Sequence, residues 1–176
     1  MNFSIQPILE NEKYQLIPLQ KGDFELLYEV ASNPEVWEQH PNKDRYKREV
    51  FKNFFQGAIE SEGAFKIVEK ATGNILGSTR YYDFDESKNS IFIGYTFYGT
   101  SSWGKGINPH IKNMMLDYIF QFIEKVHFHI GKENFRSQIA LERLGGQKIA
   151  EEDVAYFGEP KRTNFVYEIR KENRKS

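Results

Sequence analysis

The sequence predicts an α/β domain of the α+β kind, with a mixed but mostly antiparallel central sheet and helices on both of its faces. Three observations predict it. Apolar residues recur at helical spacing in the early part of the chain and switch to strict alternation from Ala64 onward. Three alternating segments then follow one another, separated only by turn-forming clusters, as an antiparallel meander requires. Beyond them a helical segment lies between two strand segments, which makes those strands parallel neighbours through a right-handed crossover.

The elements follow in order. Tyr14–Gln20, YQLIPLQ, is the first strand. In KGDFELLYEVASN, Asp23 stands where a helix cap belongs, and Phe24, Leu27, Tyr28 and Ala31 share one helical face. Asn33-Pro34 ends this helix, because proline disfavours helical backbone at the residue before it. Asp44–Ser61 is a second helix with Val50, Phe51, Phe54, Phe55 and Ile59 as its apolar stripe. The meander strands are Ala64–Lys70, Ile75–Phe84 and Ile91–Gly99, with ATGN and ESKNS as turns. A helix is expected from about Pro109 to Glu124, a strand over Lys125–Glu133, and a short helix over Asn134–Gly146, ended by glycine. Gln147–Phe157 and Arg162–Arg170 close the chain as a strand pair. A single domain is expected over residues 1–170, and the charged end, 171–176, is expected to fray.

Composition narrows the function. A chain of 176 residues that is 39% hydrophobic and 28% charged is ordinary globular material. Its formal net charge of -1 argues against nucleic acid or an anionic membrane as the main partner. Without cysteine there is no disulfide framework, thiolate metal site or cysteine nucleophile. The N-terminus lacks a basic start followed by an apolar run, so no signal peptide is expected and the cytoplasm is the expected location. No run of about 18 apolar residues suggests a membrane span. The 15 Phe, 10 Tyr and 2 Trp are enough to fill a core and line a ligand site as well. His127 and His129 share one strand face, but no third ligand accompanies them, and no metal is expected.

GTSSWGKGINPH, Gly99–His110, carries the chemistry. A helix start leaves its first N–H groups unpaired and carries partial positive charge, so an anion, most often a phosphate, fills it naturally. Gly104 and Gly106 bare the backbone, Lys105 adds charge, Trp103 anchors the loop, and Asn108 is placed to cap a helix whose first turn holds Pro109. The stretch is neither a P-loop nor a dinucleotide fingerprint, since the required lysine-serine/threonine pair and third glycine are missing. By itself it is equally an ordinary turn.

Its context resembles a family. IGYTFYGTSSWGKGINPHIKNMMLDYIF is similar to the strand, Q/R-x-x-G-x-G/A loop and helix with which GCN5-related N-acetyltransferases take the pyrophosphate of coenzyme A. VHFHIGKENFRSQIALERLGGQKIAEE resembles the block that follows in that family, a strand, N-x-x-S and a short helix ending in an LG turn. The opening LIPLQKGDFELLYEVASNPEVWEQHP is most similar to the branch related to ribosomal-protein N-terminal acetyltransferases. The likeness covers nearly the whole chain. Two positions depart from it: Ser101 stands at the first place of the loop motif, usually Gln or Arg, and Gly146 follows LG where Phe or Ala is common.

The resemblance implies an acetyl-CoA-dependent N-acetyltransferase that moves an acetyl group to a primary amine, a protein N-terminus or a small molecule, by direct attack in a ternary complex. It implies a parallel strand pair that splays near Phe97-Tyr98 and Ile130-Lys132 to take pantetheine, with a main-chain N–H at Phe97 or Tyr98 serving the thioester oxygen. Ser101, Trp103, Gly104, Lys105, Gly106, Ile107 and Asn108 would hold the pyrophosphate. Asn134 would contact pantetheine, and Ser137 would contact it and protonate the leaving thiolate, although both residues also suit helix caps. Tyr156 is a second candidate acid. Asp83, ahead of Asp85 and Glu69, is the candidate base. Trp37, Glu38, Tyr46, Phe157 and Glu159 are candidates for the acceptor side, and His110 for the phosphate side. Monomer and homodimer both fit. The competing reading is a non-catalytic acyl-CoA-binding module of the same fold.

Overall fold

The computed structural model describes residues 1–175. Eight strands form one sheet in the order β1-β2-β3-β4-β5-β6-β8-β7. They are β1 (Leu9–Glu10), β2 (Tyr14–Pro18), β3 (Ala64–Glu69), β4 (Ile75–Asp85), β5 (Ser90–Tyr98), β6 (Lys125–Gly131), β7 (Gln147–Val154) and β8 (Arg162–Arg170). Every neighbouring pair is antiparallel except β5 and β6, which the crossover helix makes parallel. The helices are α1 (Phe24–Ala31), α2 (Arg48–Ser61), α3 (Ile107–Ile119) and α4 (Phe135–Arg143).

The sheet buries apolar side chains on both faces, as the alternation requires. On one face Leu27, Ala31, Phe51, Phe54, Phe55 and Ala58 of α1 and α2 pack with Trp37 and Phe97. On the other, Ile107, Ile111, Met115, Leu116 and Ile119 of α3 and Leu141 of α4 pack on Leu16, Ile67, Ile91, Ile93 and Val126.

Several local expectations are revised. Asp23 does not cap α1; it sits in the preceding 3-10 turn, where its carboxylate accepts from the Gln20 N–H at 2.8 Å and pairs with Lys66 at 2.8 Å. The second helix starts at Arg48, and a turn over 44–47 turns Arg45 into the interior. Asn108 is not a cap: Gly106, with φ 68°, takes that place and α3 begins at Ile107. The two-residue β1 extends the sheet beyond the expected first strand. The end of the chain does not fray as far as it is described. Residues 171–173 form a 3-10 turn, Arg174 pairs with Asp117 of α3, and the Lys175 N–H donates to the Leu144 carbonyl. Ser176, the rest of that segment, lies outside the described residues. Among the described residues no helix is long and apolar enough to cross a membrane.

One irregularity shapes the molecule's centre. β5 and β6 pair only over Ser90–Phe92 against Lys125–His127, although β5 runs on to Tyr98 and β6 to Gly131. The β4–β5 register slips between Ser78 and Arg80, opposite Tyr95, whose φ is 54°. That bulge adds a residue on β5, and the extra twist carries its end away from β6. The result is a V, closed at Phe92 and His127 and open toward Tyr98 and Gly131.

Candidate functional site

The V opens into a cavity of about 610 Å³. One wall is β5 from Ile93 to Tyr98, and the facing wall is β6 from Phe128 to Gly131. The loop from Ser102 and the first turn of α3 close one end, α4 supplies a third side, and the segment around Glu35–Pro41 covers the fourth.

The glycine loop is built for close approach. Gly104 and Gly106 have φ of 72° and 68°, and apart from each glycine and its adjoining backbone no described atom lies within 4 Å of where a Cβ would stand. Those positive angles favour glycine, and the space above them is left empty by the protein. Among the described residues no side chain caps α3, and Ile107 and Asn108 of its first turn line the cavity. Asn108 instead accepts the Tyr98 hydroxyl at 2.8 Å, which ties the end of β5 to the first turn of α3. The Trp103 indole N–H donates to the Tyr98 carbonyl at 3.3 Å, and the Arg136 guanidinium of α4 stands 5.2 Å over its ring. Trp103, Gly104, Gly106, Ile107, Asn108, Phe97 and Tyr98 all line the cavity. Lys105 is exposed and outside the lining. Ser101 is turned away into a separate hollow with Asn33 and Asn74, and the buried Ser102 takes the place beside the cavity.

Asn134 and Ser137 both line the cavity at the start of α4. The Asn134 Oδ1 accepts the Ser137 N–H at 3.2 Å, so the capping role is real. It uses the amide oxygen, and among the described residues no hydrogen bond occupies the Nδ2 donors or the Ser137 hydroxyl. Capping and ligand contact are thus compatible on one asparagine.

On the α2 side the cavity meets an aromatic box. Arg45 is bound by Glu159 at 2.8 Å, their side chains 3% and 2% exposed, and its guanidinium lies 4.9 Å over Phe54 and 5.2 Å over Tyr156. Asn42 donates to the same carboxylate. Arg80, equally buried, stacks 3.7 Å over Tyr95; its Nη2 donates to the Phe54 carbonyl, and its Nε has no partner among the described residues. Burial lowers its pKa to about 10. Burial likewise holds His40, beside Arg45, neutral, with its pKa lowered to about 3. Of the acceptor candidates only Glu38 lines the cavity, with Glu35 beside it. Trp37 is a core residue whose indole N–H donates to the Ala31 carbonyl. Tyr46 accepts the Tyr28 hydroxyl through its carbonyl, Phe157 packs against Gly57, and Glu159 is consumed by Arg45. Tyr156 is in the lining, its pKa raised by burial. His110 is outside it, hydrogen-bonded to Asn11.

The carboxylates singled out as bases do not reach the cavity. Asp83 is exposed, at a bulge with φ 50°; Asp85 is bound to Ser87 and Lys88, and Glu69 accepts from Thr72. Two groups that carry no catalytic role in the sequence reading do reach it. Tyr82, on β4, contacts His129 Nδ1 at 2.9 Å, and His129 Nε2 contacts Glu152 at 3.1 Å. His127 has its own carboxylate, Glu168, at 2.8 Å, so the two histidines do not converge. Among the described residues no three metal-ligating side chains cluster.

The second group is Lys112 of α3, 6% exposed, whose ammonium donates to Thr96 at 2.7 Å and has no carboxylate partner among the described residues. Burial alone lowers its pKa to about 7 from 10.5. The unfolded chain therefore binds this proton more tightly than the folded one, so stability rises as pH goes from about 7 to 10.5. Below that window the penalty is fully present. Lys112→Met is expected to raise the melting temperature near pH 7 by roughly 5 °C or more and to remove that rise. Thermal denaturation across the window checks it; an unchanged profile would count against the burial argument.

A family model described as Acetyltransferase (GNAT) domain matches residues 14–147. Among curated proteins none matches the chain. Solved structures share its fold. A GCN5-related N-acetyltransferase from Brucella melitensis superposes with a TM-score of 0.79 at 18% identity, over 98% of this chain and 84% of that one. An acetyltransferase of the GNAT family from Bacillus anthracis gives 0.70 at 16%, over 94% and 99%. A spermidine N-acetyltransferase from Vibrio cholerae, solved in complex with CoA and spermine, gives 0.70 at 16%, over 93% and 98%.

Proposed function

The chain belongs to the GNAT acetyltransferases, and from that premise we propose that it transfers an acetyl group from acetyl-CoA to a primary amine, on a protein N-terminus or a small molecule. The observation that carries the reading is the V between β5 and β6, closed at one end and meeting an uncapped glycine-flanked helix start at the other. An extended arm with a phosphate at its end fits both features together; a turn alone needs neither.

In this reading the Gly104–Gly106 backbone and the first turn of α3 take the pyrophosphate, with Arg136 close by. The unpaired edge of β5 beyond Phe92 hydrogen-bonds pantetheine as an added strand does, joined by Asn134. A main-chain N–H on the unpaired edge of β5 polarises the thioester carbonyl. The amine enters on the aromatic side, past Glu35 and Glu38, and the Ser137 hydroxyl hydrogen-bonds the departing sulfur. The acceptor is a neutral-to-cationic amine, since these two carboxylates are the acidic groups in the lining and Arg45 is already neutralised by Glu159. Monomer and homodimer are equally served, because the cavity is lined within one chain, and a cytoplasmic setting would supply acetyl-CoA.

Thiol release from acetyl-CoA tests it, with spermidine, benzylamine and a serine-initiated tripeptide as acceptors. Amine-dependent release is expected with at least one of them. CoA binding with no release for any primary amine would leave the non-catalytic acyl-CoA module.

A further inference from the structure

We propose that Tyr82, His129 and Glu152 form a proton relay at the closed end of the V, with the Tyr82 hydroxyl meeting the reacting atoms. The inference rests on the acyl-CoA reading of the cavity and assigns the base that reading lacks.

The placement is specific. Tyr82 stands opposite Phe92 in the β4–β5 register, and Phe92 is the last β5 residue paired with β6. His129 follows two residues after His127, where β6 has begun to part from β5. Tyr82 and His129 therefore flank the apex of the V, and both line the cavity. An arm that enters past the glycine loop carries its sulfur toward this end. Gly94 makes room for the phenol: a Cβ there would stand 3.1 Å from both the Tyr82 hydroxyl and its ring. Phe92 stacks on the imidazole at 4.3 Å and fixes its plane.

The hydrogen bonds set the direction. A carboxylate only accepts, so Glu152 takes the Nε2–H of His129, and Nδ1 is the lone pair that accepts the Tyr82 O–H. The groups facing His129 are Tyr82 and Asp83 from β4, Phe92 from β5, His127 from β6 and Glu152 from β7. Burial lowers the histidine's pKa and outweighs Glu152 and Asp83, which raise it, while His127 adds to the lowering. The imidazole is thus neutral near pH 7, with Nδ1 free to take a proton. Burial pushes the Tyr82 phenol up, so it passes protons on without ionising.

The step balances. The neutral amine attacks the thioester carbon, a C–N bond forms, and the tetrahedral adduct carries an ammonium and an oxyanion. Tyr82 accepts one ammonium proton on its oxygen as its own proton goes to His129 Nδ1. The C–S bond then breaks and CoA leaves as thiolate, and the imidazolium, held by Glu152, gives the proton back through Tyr82 to sulfur. Glu152, 52% exposed, links the relay to solvent.

Titration of histidine-labelled protein by NMR, with calorimetry in parallel, tests this. With CoA bound, a thiol that hydrogen-bonds to the Tyr82 hydroxyl at the apex is expected to move the His129 titration, and desulfo-CoA should leave it unchanged. Equal titration with the two ligands, both bound, would overturn the relay while the acyl-CoA reading stood. No binding of either would remove that reading and the relay with it. Tyr82→Phe and His129→Gln should each cut amine-dependent thiol release about tenfold to a hundredfold in kcat, with CoA affinity within about threefold. Glu152→Gln, at a positioning residue, should move the His129 titration and the acid limb of the kcat–pH profile down together, and Glu152→Asp should restore both. A loss of CoA affinity or of folding in Tyr82→Phe that accounts for its lost rate would also contradict the proposal.

Discussion

Replacing Arg45 by methionine is expected to destabilise the protein by about 3–5 kcal/mol, because it strands a carboxylate that has almost no access to water. Glu159 is 2% exposed, accepts three bonds from two nitrogens of Arg45, and keeps Asn42 when the guanidinium goes. Removing the carboxylate instead is equally costly. Glu159→Gln leaves Arg45 and Arg80 as two buried cations among Phe54, Tyr95 and Tyr156, with aromatic faces as their remaining counterpart. Replacing both members of the pair by methionine should cost less than the sum of the two single changes, since neither charge is then left behind. Chemical denaturation of the two singles and the double measures the coupling. Additive losses would mean that the pair is not the unit the geometry makes it.

Replacing Gly104 and Gly106 together by valine is expected to abolish CoA binding, with affinity down at least about a hundredfold, while the sheet stays folded. Neither position is crowded by protein, so nothing in the fold clashes with the new side chains. The cost has two other parts. A β-branched residue held at φ near 70° pays roughly 1–2 kcal/mol per position, which the loop relieves by moving. On the acyl-CoA reading the branches also occupy the space a phosphate would take beside the first N–H groups of α3. Retained circular dichroism with lost calorimetric heat is the expected combination. Undiminished binding would show that the loop is a turn and no more.

These two sites also mark what was legible in the sequence. The period change after Gly63 and the turn clusters fixed the meander and the crossover, because alternation on a sheet face is a local pattern. The loop was legible for a similar reason: bare glycines directly before a helical pattern announce an exposed helix start. Arg45 was hidden inside an expected helix, and its partner lies 114 residues away, which no local period reveals. The relay stayed hidden in the same way. Tyr82, His129 and Glu152 come from three strands, and no local period brings them together. His129 did carry one signal, a titratable group at every second place of a strand with His127, but its partner was sought as a metal and is a phenol. Lys112 carried another, an ammonium inside the apolar stripe Ile111, Met115, Leu116 and Ile119 of α3. Asp83 misled because its acidic type suits a base, whereas the bulge at its own backbone turns it to solvent.

The central claim is that the V and its glycine-flanked helix start form one site for an acyl-CoA. Isothermal titration of the unaltered protein with acetyl-CoA, against adenosine 3′,5′-bisphosphate, tests it most directly. The account predicts micromolar binding of acetyl-CoA and much weaker binding of the bisphosphate, which has neither the pyrophosphate for the loop nor the arm for the V. No heat with acetyl-CoA up to millimolar concentration would contradict it, and the open strand pair would then need another occupant.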